Sequence, residues 1–418
     1  MSSFIINGGK PLIGQINVPG NKNAVLPAMA AALLTDQEVV LENVPQIRDV
    51  KTMGSLLSDL GADLRKLDSH SVAISARNLK QKEPDEKLVA DLRASVLLLG
   101  PLLARFGRSV IRHPGGDIIG RRSIDEHLKS LEKLGVKIEI EGILNKLSVR
   151  KLRGADIHLT ETSVTATENI MMAAVLAEGE TQITNAAAEP HVQCLGILLN
   201  KMGAKIEGVG TSRINIQGVN SLGSCSHRIR TDHIEVGTWA IVAAVTGGEI
   251  SVQGVIKEDL LPMKAIFEPM GIIIKEYDSS VKFSRGTLRA YPAVKTNIWP
   301  GFPTDLMSPM IVLATQCQGM TLAHDWMYEG RMFFVDRLIK MGANIIVADP
   351  HRIIINGPTL FHPRHSSSPD IRAGVALVIA SLAANGESVI DMAEIIDRGY
   401  ENLEQRLTGL GADINRIS

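Results

Sequence analysis

The feature that most constrains the fold of this chain is an internal repeat with a period of about 70 residues. A helix-like pattern, then Leu or Met followed by Gly, then a short strand-like run recurs six times. The glycines of this first signature are Gly61, Gly135, Gly203, Gly271, Gly342 and Gly411. Glycine at such a place is typical of the left-handed residue that ends a helix before the chain enters a strand.

A second signature alternates with the first and has the same period. It is a turn followed by alternating apolar residues, which predicts a strand, and it occurs at 38–41, 107–111, 179–183, 247–252, 319–322 and 386–390. A loop and a further helical pattern follow each copy, for example at 124–134 and 331–341. Two independent series of residues therefore indicate six copies of one unit.

The repeat and the length together predict an α/β fold with two domains. A chain of 418 residues is too long for one core, and a unit of about 70 residues has room for two helices and three or four strands. We expect two inside-out α/β domains, each built of three repeated βαβαββ-like units, with sheets on the solvent side and helices at the centre. Residues 22–229 form the first domain, and residues 1–21 with 230–418 form the second, which the N-terminal strand within 4–16 completes.

Composition limits the partners. The net charge of −1 gives no overall electrostatic reason to bind nucleic acid or an anionic membrane, so any bound anion must be held by a local cluster of cations.

The cysteines, Cys194, Cys225 and Cys317, lack the spacing of a metal site or a disulfide framework, which favours a reducing compartment, the cytoplasm. We read no signal peptide and no membrane span, and we predict no metal and no cofactor.

Three segments break the apolar pattern of the repeat and are candidates for function. The first is Pro19-Gly20-Asn21-Lys22-Asn23, which brings Lys22 and Asn23 to a helix N-terminus, where an anion is favoured. An ordinary capped helix with a solvated lysine explains the same residues equally well.

The second segment runs from Arg112 to Asp125 and is rich in glycine. It predicts an exposed loop with Asp117 near its tip. A plain surface loop is the alternative, but Ile118 and Ile119 beside Asp117 favour a loop that closes on another surface.

The third segment, Trp299-Pro300-Gly301-Phe302-Pro303-Thr304-Asp305, presents Asp305 at the start of a helix at 306–315. Taken alone, a helix N-cap is the commoner explanation of such an aspartate.

Arginines at helix starts form a further set. Arg93 and Arg372 share the phrase Asp-apolar-Arg-Ala-small in opposite halves of the chain, and Arg398 lies in Asp397-Arg398-Gly399-Tyr400. A surface salt bridge explains any one of them. Two matched copies, one in each domain, predict cations that face each other across a cleft.

Two further motifs are Pro114-Gly115-Gly116-x-x-x-Gly120 and Ser163-Val164-Thr165-Ala166-Thr167. Together with the segments above, they resemble the enolpyruvyl transferases, and the likeness runs along this chain from Ile6 to Asp413. The resemblance is to the branch that transfers the enolpyruvyl group of phosphoenolpyruvate to the 3-hydroxyl of UDP-N-acetylglucosamine, the first committed step of peptidoglycan precursor synthesis. It implies the enolpyruvyl transferase fold, with the UDP-sugar and the mobile loop on the side of the first domain. Both substrates are small molecules, and domain closure accompanies their binding.

The resemblance also implies roles for single residues. Lys22, Arg93, Arg122, Arg372 and Arg398 correspond to the cations around phosphoenolpyruvate, and Asn23 is shared between the substrates. Asp305 corresponds to the base on the sugar hydroxyl. Our own candidate for the acid that protonates C3 is Asp117, with Lys22 as the alternative donor. The implied uracil contacts are Arg122, Ser123, Ile124, Asp125 and Glu126. The implied diphosphate contacts are Ser163, Val164 and Thr165, and the implied contact of the amino sugar is Met327. Arg331 is a further substrate contact.

The chain departs from the pattern of this family at several positions. Asp117 stands where many members have a nucleophilic Cys that the epoxide fosfomycin alkylates, which predicts resistance to that inhibitor. Ser123, Cys194, His233 and Gly330 replace a common Pro, Asp, Arg and Asn, and Glu161 stands where many members have a basic residue. Three alternatives stay open: a shikimate-type acceptor, a paralogue with another nucleotide acceptor, and a catalytically silent binding protein.

Overall fold

The computed structural model describes residues 2–112, 114–117 and 119–417. Within these ranges the strands are β1 (Ser3–Gly8), β2 (Ile13–Asn17), β3 (Glu38–Glu42), β4 (Asp63–Lys66), β5 (Ser71–Ser75), β6 (Arg108–Arg112), β7 (Lys137–Glu141), β8 (Leu144–Ser148), β9 (Asp156–His158), β10 (Glu180–Thr184), β11 (Lys205–Glu207), β12 (Arg213–Gln217), β13 (Cys225–Arg228), β14 (Glu249–Gln253), β15 (Ile272–Glu276), β16 (Ser280–Arg285), β17 (Ala293–Lys295), β18 (Gly319–His324), β19 (Asn344–Asp349), β20 (Arg352–Gly357), β21 (His365–Ser367), β22 (Gly386–Asp391) and β23 (Asp413–Ile417).

The helices of the same ranges are α1 (Lys22–Ala31), α2 (Arg48–Asp59), α3 (Glu86–Asp91), α4 (Leu99–Phe106), α5 (Asp125–Lys133), α6 (Val164–Ala174), α7 (Pro190–Lys201), α8 (His233–Thr246), α9 (Leu261–Phe267), α10 (Met307–Thr315), α11 (Val335–Lys340), α12 (Ile371–Ala383), α13 (Ala393–Ile396) and α14 (Leu403–Gly409). Short 3₁₀ segments occur at Ala32–Leu34, Arg93–Leu98, Lys257–Leu260 and Thr304–Leu306.

The chain groups into two compact units. Unit 1 comprises Met1–Pro19, Asp117–Arg121 and Thr231–Ser418, and unit 2 comprises Gly20–Gly116 and Arg122–Arg230. The predicted domains, residues 22–229 and residues 1–21 with 230–418, stay a prediction, and the segment Asp117–Arg121 groups with unit 1.

Each unit contains three sheets among its described residues. Those of unit 2 have the strand orders β13-β3-β5-β4, β6-β8-β7 and β11-β12-β10-β9, and those of unit 1 have the orders β15-β16-β14-β2, β17-β18-β20-β19 and β21-β22-β1-β23. Every four-stranded sheet combines one parallel pair with two antiparallel pairs. The prediction of six copies of one α/β unit is confirmed.

Both repeat signatures correspond to local structure. All six glycines of the first signature have positive φ, between 91° at Gly135 and 106° at Gly342. The six runs of the second signature lie in β3, β6, β10, β14, β18 and β22. The glycine conformation therefore ends a helix at the same point of each copy, and the strand that follows the turn takes part in each sheet.

The N-terminal strand is an interior strand of a sheet formed by the end of the chain. β1 pairs antiparallel with β22, where Phe4 lies opposite Ile390, and with β23, where Phe4 lies opposite Arg416. Phe4 and Ile6 are fully buried there. β2 joins a different sheet, in which it pairs parallel with β14.

Helices that are largely buried form the core of each unit. In unit 1 these are α8, α10 and α12, which pack against one another. In unit 2, α4 packs on α6, and both α1 and α6 pack on α7 and on the 3₁₀ segment Arg93–Leu98. Because α8, α10 and α12 are buried on all sides, they are stable only when other elements surround them.

Two predicted helices differ from the observed ones. The helical pattern at 331–341 yields a helix only over Val335–Lys340, because residues up to 334 form turns that carry the buried side chain of Arg331. The helix predicted at 306–315 begins at Met307, after the 3₁₀ segment Thr304–Leu306.

Candidate active site

The carboxylate of Asp305 lies between two arginines of unit 1. Its Oδ1 accepts a hydrogen bond from Nη2 of Arg331 over 3.1 Å, and its Oδ2 accepts one from Nη2 of Arg372 over 2.9 Å. The N-caps of the 3₁₀ segment and of α10 are Pro303 and Leu306, so the alternative that Asp305 is a helix cap is wrong. Two charge-assisted contacts on separate oxygens fix the plane of the carboxylate.

Both arginines are almost fully buried. Arg331 is 2% exposed and Arg372 is 5% exposed. Burial alone would lower the pKa of each guanidinium, but neighbouring carboxylates, Asp305 foremost, raise both pKa values above the ordinary range. The Arg372 side chain also lies over the ring of Tyr400, 5.5 Å from its centroid, and donates to its hydroxyl over 3.1 Å.

Asp325 organises the backbone around this pair and was not predicted from the sequence. Its side chain is fully buried, and Oδ1 accepts hydrogen bonds from the hydroxyl of Thr296 and from the backbone N–H groups of Met327 and Tyr328. Oδ2 accepts from the hydroxyl of Thr304, over 2.5 Å. Asp325 thereby ties the residue before Asp305 to the turn that carries Met327.

Asp117 forms an ion pair with Arg398 within unit 1. Nη1 of Arg398 lies 2.6 Å from Oδ1 of Asp117, and each side chain is about one-sixth exposed, 16% and 17%. Ile119 is 5% exposed, as expected for an apolar residue of a loop that closes on a surface. His113 and Ile118 of the predicted loop lie outside the described residues.

In unit 2, Lys22 is the first residue of α1. Asn21 caps this helix through a hydrogen bond from the N–H of Ala24 to its side-chain oxygen, over 3.1 Å. Nζ of Lys22 lies 2.7 Å from Oδ2 of Asp49, a buried residue in the first turn of α2. Asn23 follows in the first turn of α1 and is half-buried.

Arg93 lies against the connection between β6 and α5 in unit 2. Its Nη2 donates to the carbonyl of Arg122 over 2.6 Å and to that of Ser123 over 3.2 Å. Arg93 begins the 3₁₀ segment that leads into α4, as Arg372 lies in the first turn of α12. The shared sequence phrase therefore places both arginines at the start of an apolar helical segment.

Glu126 of the predicted uracil segment and Thr165 of the predicted diphosphate segment each form a side-chain hydrogen bond within unit 2. Oε2 of Glu126 accepts from the N–H of Thr160 over 2.9 Å. Nε2 of His127 lies 3.0 Å from Oγ1 of Thr165, and its Nδ1 lies 2.9 Å from Nδ2 of Asn169. Burial lowers the pKa of His127 to about 3, with a smaller contribution from the charge of Arg93, so its ring is neutral.

The remaining predicted residues frame these contacts. Ile124 is buried at the N-cap of α5, and Asp125 begins that helix with its N–H donated to Oγ of Ser123. Ser163 caps α6, whose first residue is Val164. His127 was missed because a single histidine in a helical pattern carries no signal of its partners on α6.

Each unit therefore contains part of the predicted site. Unit 1 brings together Asp305, Arg331 and Arg372 and, separately, Asp117 and Arg398. Unit 2 joins Arg93 to Arg122–Ser123 and His127 to Thr165, while Lys22 pairs with Asp49. The roles assigned to these residues stay predictions.

Across residues 2–112, 114–117 and 119–417, no three His, Cys, Asp or Glu side chains are grouped so as to hold a metal ion. No helix in the described part of the chain combines the length and the apolar character needed to cross a membrane.

Comparison with known proteins relates the whole chain to one group of enzymes. A protein-family profile described as EPSP synthase (3-phosphoshikimate 1-carboxyvinyltransferase) matches residues 6–407. The chain is 46% identical to UDP-N-acetylglucosamine 1-carboxyvinyltransferase of Bradyrhizobium diazoefficiens, with 99% of this chain and 98% of the relative covered. It is 44% identical to the enzyme of that name from Treponema denticola, with 99% of each covered.

Solved structures share the fold. The enolpyruvyl transferase NikO from Streptomyces tendae has a TM-score of 0.90 at 24% identity, covering 99% of this chain and 98% of that one. EPSP synthase from Acinetobacter baumannii has a TM-score of 0.78 at 18% identity, with both chains covered fully. At these identities the likeness concerns the fold alone.

Proposed function

The chain belongs to the EPSP synthase family of 1-carboxyvinyltransferases, and from that premise we propose that it transfers the enolpyruvyl group of phosphoenolpyruvate to the 3-hydroxyl of UDP-N-acetylglucosamine. Phosphate is the second product, and the reaction is the first committed step of peptidoglycan precursor synthesis. The relatives at 44% and 46% identity carry the name of this activity over nearly the full chain. They support the UDP-sugar as acceptor against 3-phosphoshikimate, which the family description names.

The observation that carries the chemistry is the geometry of Asp305. The transfer needs a group that takes the hydroxyl proton of the sugar as its oxygen attacks C2 of phosphoenolpyruvate. Asp305 is a carboxylate 28% exposed in its side chain, and Arg331 and Arg372 hold both its oxygens. A fixed, partly accessible carboxylate supports the role of base.

The reaction proceeds by addition and elimination. In the addition, the sugar oxygen bonds to C2, Asp305 accepts the hydroxyl proton, and an acid delivers a proton to C3. In the elimination, C3 loses a proton and the bond between C2 and the phosphate oxygen breaks, which leaves an enol ether and phosphate. We assign the C3 acid to Asp117, with Lys22 as the alternative. Asp117 faces Arg398, and Lys22 faces Asp49.

The arginines supply the charge that the substrates require. Phosphoenolpyruvate carries close to three negative charges and a UDP-sugar about two, and dehydrating such anions without cations is prohibitive. We propose that Lys22, Arg93, Arg122, Arg372 and Arg398 contact phosphoenolpyruvate, because guanidinium groups meet carboxylate and phosphate with two parallel hydrogen bonds. Arg331 contacts substrate beside Asp305.

The acceptor sugar nucleotide has its own proposed contacts. The proposed contacts of uracil are Ser123, Ile124, Asp125 and Glu126. Those of the diphosphate are Ser163, Val164 and Thr165, and that of the amino sugar is Met327. Asn23 contacts both substrates. The cysteines of the described residues form no disulfide bond, which fits a reducing compartment, and we propose the cytoplasm.

Phosphate release tests the function. Purified protein with phosphoenolpyruvate is expected to release phosphate when UDP-N-acetylglucosamine is added and to form the enolpyruvyl ether, which mass spectrometry detects. UDP-N-acetylgalactosamine and 3-phosphoshikimate serve as comparison acceptors. Turnover with 3-phosphoshikimate alone would reassign the acceptor, and no turnover with any acceptor would favour a binding protein.

A further inference from the structure

The segment Asp117–Arg121 contacts an edge of unit 1 formed by Glu329 and Gly330. The N–H of Arg121 donates to Oε1 of Glu329 over 2.7 Å, and the N–H of Gly330 donates to the carbonyl of Ile119 over 2.8 Å. The hydrogen bond from Arg121 is the chief reason that the pKa of Glu329 lies below its usual range. A charged acceptor and a backbone donor thus bind two neighbouring peptide units of the segment.

The absence of a side chain at Gly330 makes this approach possible. A Cβ at this position would lie 2.6 Å from the carbonyl carbon of Ile119 and 3.0 Å from the nitrogen of Gly120. These are backbone atoms, so the segment itself would have to move. The φ angle of Gly330 lies outside the left-handed region, so alanine fits its own backbone without strain.

Gly120 complements the same edge. Its φ of +136° is a conformation that residues with a side chain rarely adopt, and a Cβ there would lie 2.4 Å from Oε2 of Glu329. A glycine on the segment and a glycine on the edge therefore face each other, and Glu329 spans them.

We propose that Glu329 and Gly330 are positioning residues that hold the segment Asp117–Arg121 so that Asp117 reaches Arg398. The contact of 2.6 Å between Asp117 and Arg398 fixes the start of the segment. The bond between Gly330 and Ile119 fixes its middle, and the bond between Glu329 and Arg121 fixes its end. Neither positioning residue is among the reacting groups, and the catalytic part of this inference rests on the proposed function.

Limited trypsin digestion tests the inference without any substrate. Trypsin cuts after arginine, and Arg121 and Arg122 follow the held part of the segment. Loss of a charge-assisted hydrogen bond is expected to speed cleavage there about tenfold in Glu329→Ala. We expect a similar increase in the cleavage rate of Gly330→Ala, because the Cβ of the alanine displaces Ile119. Glu329→Gln keeps an acceptor oxygen and is expected to stay near the wild type.

Controls separate positioning from a general loss of structure. Glu268→Ala removes an exposed glutamate elsewhere in unit 1 and is expected to leave cleavage at Arg121 and Arg122 unchanged. Cleavage at other sites and the melting temperature are expected to match the wild type in all variants. Equal cleavage rates at Arg121 and Arg122 in the wild type, Glu329→Ala and Gly330→Ala would overturn the proposal.

Kinetics give the second readout. With both proposed substrates, Gly330→Ala is expected to lose about tenfold in kcat while Glu329→Gln recovers most of the loss seen in Glu329→Ala. A wild-type protein without phosphate release would defeat the proposed function, whereas the digestion result would still decide the positioning role. Faster digestion with unchanged kcat would overturn the link to Asp117.

Discussion

Nη1 of Arg398 lies 2.6 Å from Oδ1 of Asp117, although the two residues are 281 positions apart in the chain. The carboxylate of Asp117 therefore meets a fixed cation at the place where many family members carry a cysteine. A carboxyl group at this position lacks the nucleophilicity of a thiolate toward an epoxide.

The first prediction follows from that pairing. The wild-type enzyme is expected to keep its activity after incubation with fosfomycin. Asp117→Cys is expected to lose activity with time and to gain the mass of one inhibitor molecule, because Arg398 favours the thiolate. Asp278→Cys, at an exposed position of unit 1 outside the proposed site, is the control and is expected to stay active under fosfomycin. Irreversible inactivation of the wild type would contradict the prediction.

The second prediction concerns Asp305 as the base. Asp305→Asn is expected to lower kcat by about 10²- to 10⁴-fold, because an amide cannot accept the hydroxyl proton. The amide still has one oxygen for Arg331 or Arg372, so the far-ultraviolet circular dichroism spectrum is expected to be unchanged. Asp278→Asn, at an exposed position of unit 1, is the matched control. Near-normal turnover in Asp305→Asn would assign the proton transfer to another group.

The third prediction concerns Asp325, whose carboxylate accepts hydrogen bonds from four groups while fully buried. Asp325→Asn places an amide N–H₂ group against donors. It is expected to lower the free energy of unfolding by about 2–4 kcal/mol in a urea titration. The KM for the UDP-sugar is expected to rise as well, because Asp325 holds the N–H of Met327.

Thr304 offers a matched pair of variants for the same network. Thr304→Val removes the hydroxyl that donates to Oδ2 of Asp325 and is expected to reproduce part of both effects. Thr304→Ser keeps the hydroxyl and is expected to behave like the wild type. If Thr304→Val and Thr304→Ser had equal stability and KM, the hydrogen bond to Asp325 would have no role in the site.

Local sequence patterns predicted the architecture well because they depend on local chemistry. Each helix-ending glycine signals its own backbone conformation, so six copies were visible without the structure. Asp305 and Arg372 were likewise visible, because each interrupts an apolar run. What the sequence did not show is that they contact each other, since 67 positions separate them.

The organising residues were hidden for the same physical reason. Asp325 follows a strand and resembles any loop aspartate, and its importance lies in donors that come from Thr296, Thr304 and its own turn. Arg331 was expected only from family resemblance, inside a pattern that predicted a longer helix. Burial of polar groups depends on long-range packing, which periodicity does not encode.

The fourth prediction is a pH dependence of stability centred on His127. Burial lowers its pKa in the folded protein to about 3, below its ordinary value of 6.5. Below pH 6.5 the unfolded chain binds a proton that the folded chain excludes, so stability falls as the pH decreases from 6.5 toward 3. At pH 5 this group is expected to reduce the free energy of unfolding by about 2 kcal/mol relative to pH 8.

Urea titrations of variants isolate the contribution of this histidine. His127→Gln removes the titrating ring, so its stability relative to the wild type is expected to improve by about 2 kcal/mol between pH 8 and pH 5. Thr165→Val removes the hydroxyl that lies 3.0 Å from Nε2 but keeps the ring, and it is expected to retain the wild-type pH dependence. A constant difference between His127→Gln and the wild type across this range would assign the pH dependence to other groups.

The fifth prediction links the N-terminal strand to the site. The fully buried ring of Phe4 in β1 lies 4.7 Å from Cζ of Arg416, which donates to Asp397 over 2.8 and 2.6 Å, and Asp397 precedes Arg398. Phe4→Ala is expected to lower the free energy of unfolding by about 3–5 kcal/mol through the cavity it leaves. It is also expected to reduce kcat, since Arg416 loses the surface that orients its bidentate pair with Asp397.

Ile13→Ala in β2, where the side chain is 63% exposed, is the control and is expected to change stability by about 0.5 kcal/mol or less. A Phe4→Ala protein with wild-type stability would mean that β1 adds no packing energy to the sheet formed with β22 and β23. Lower stability with unchanged kcat would show that Arg398 keeps its position without Phe4.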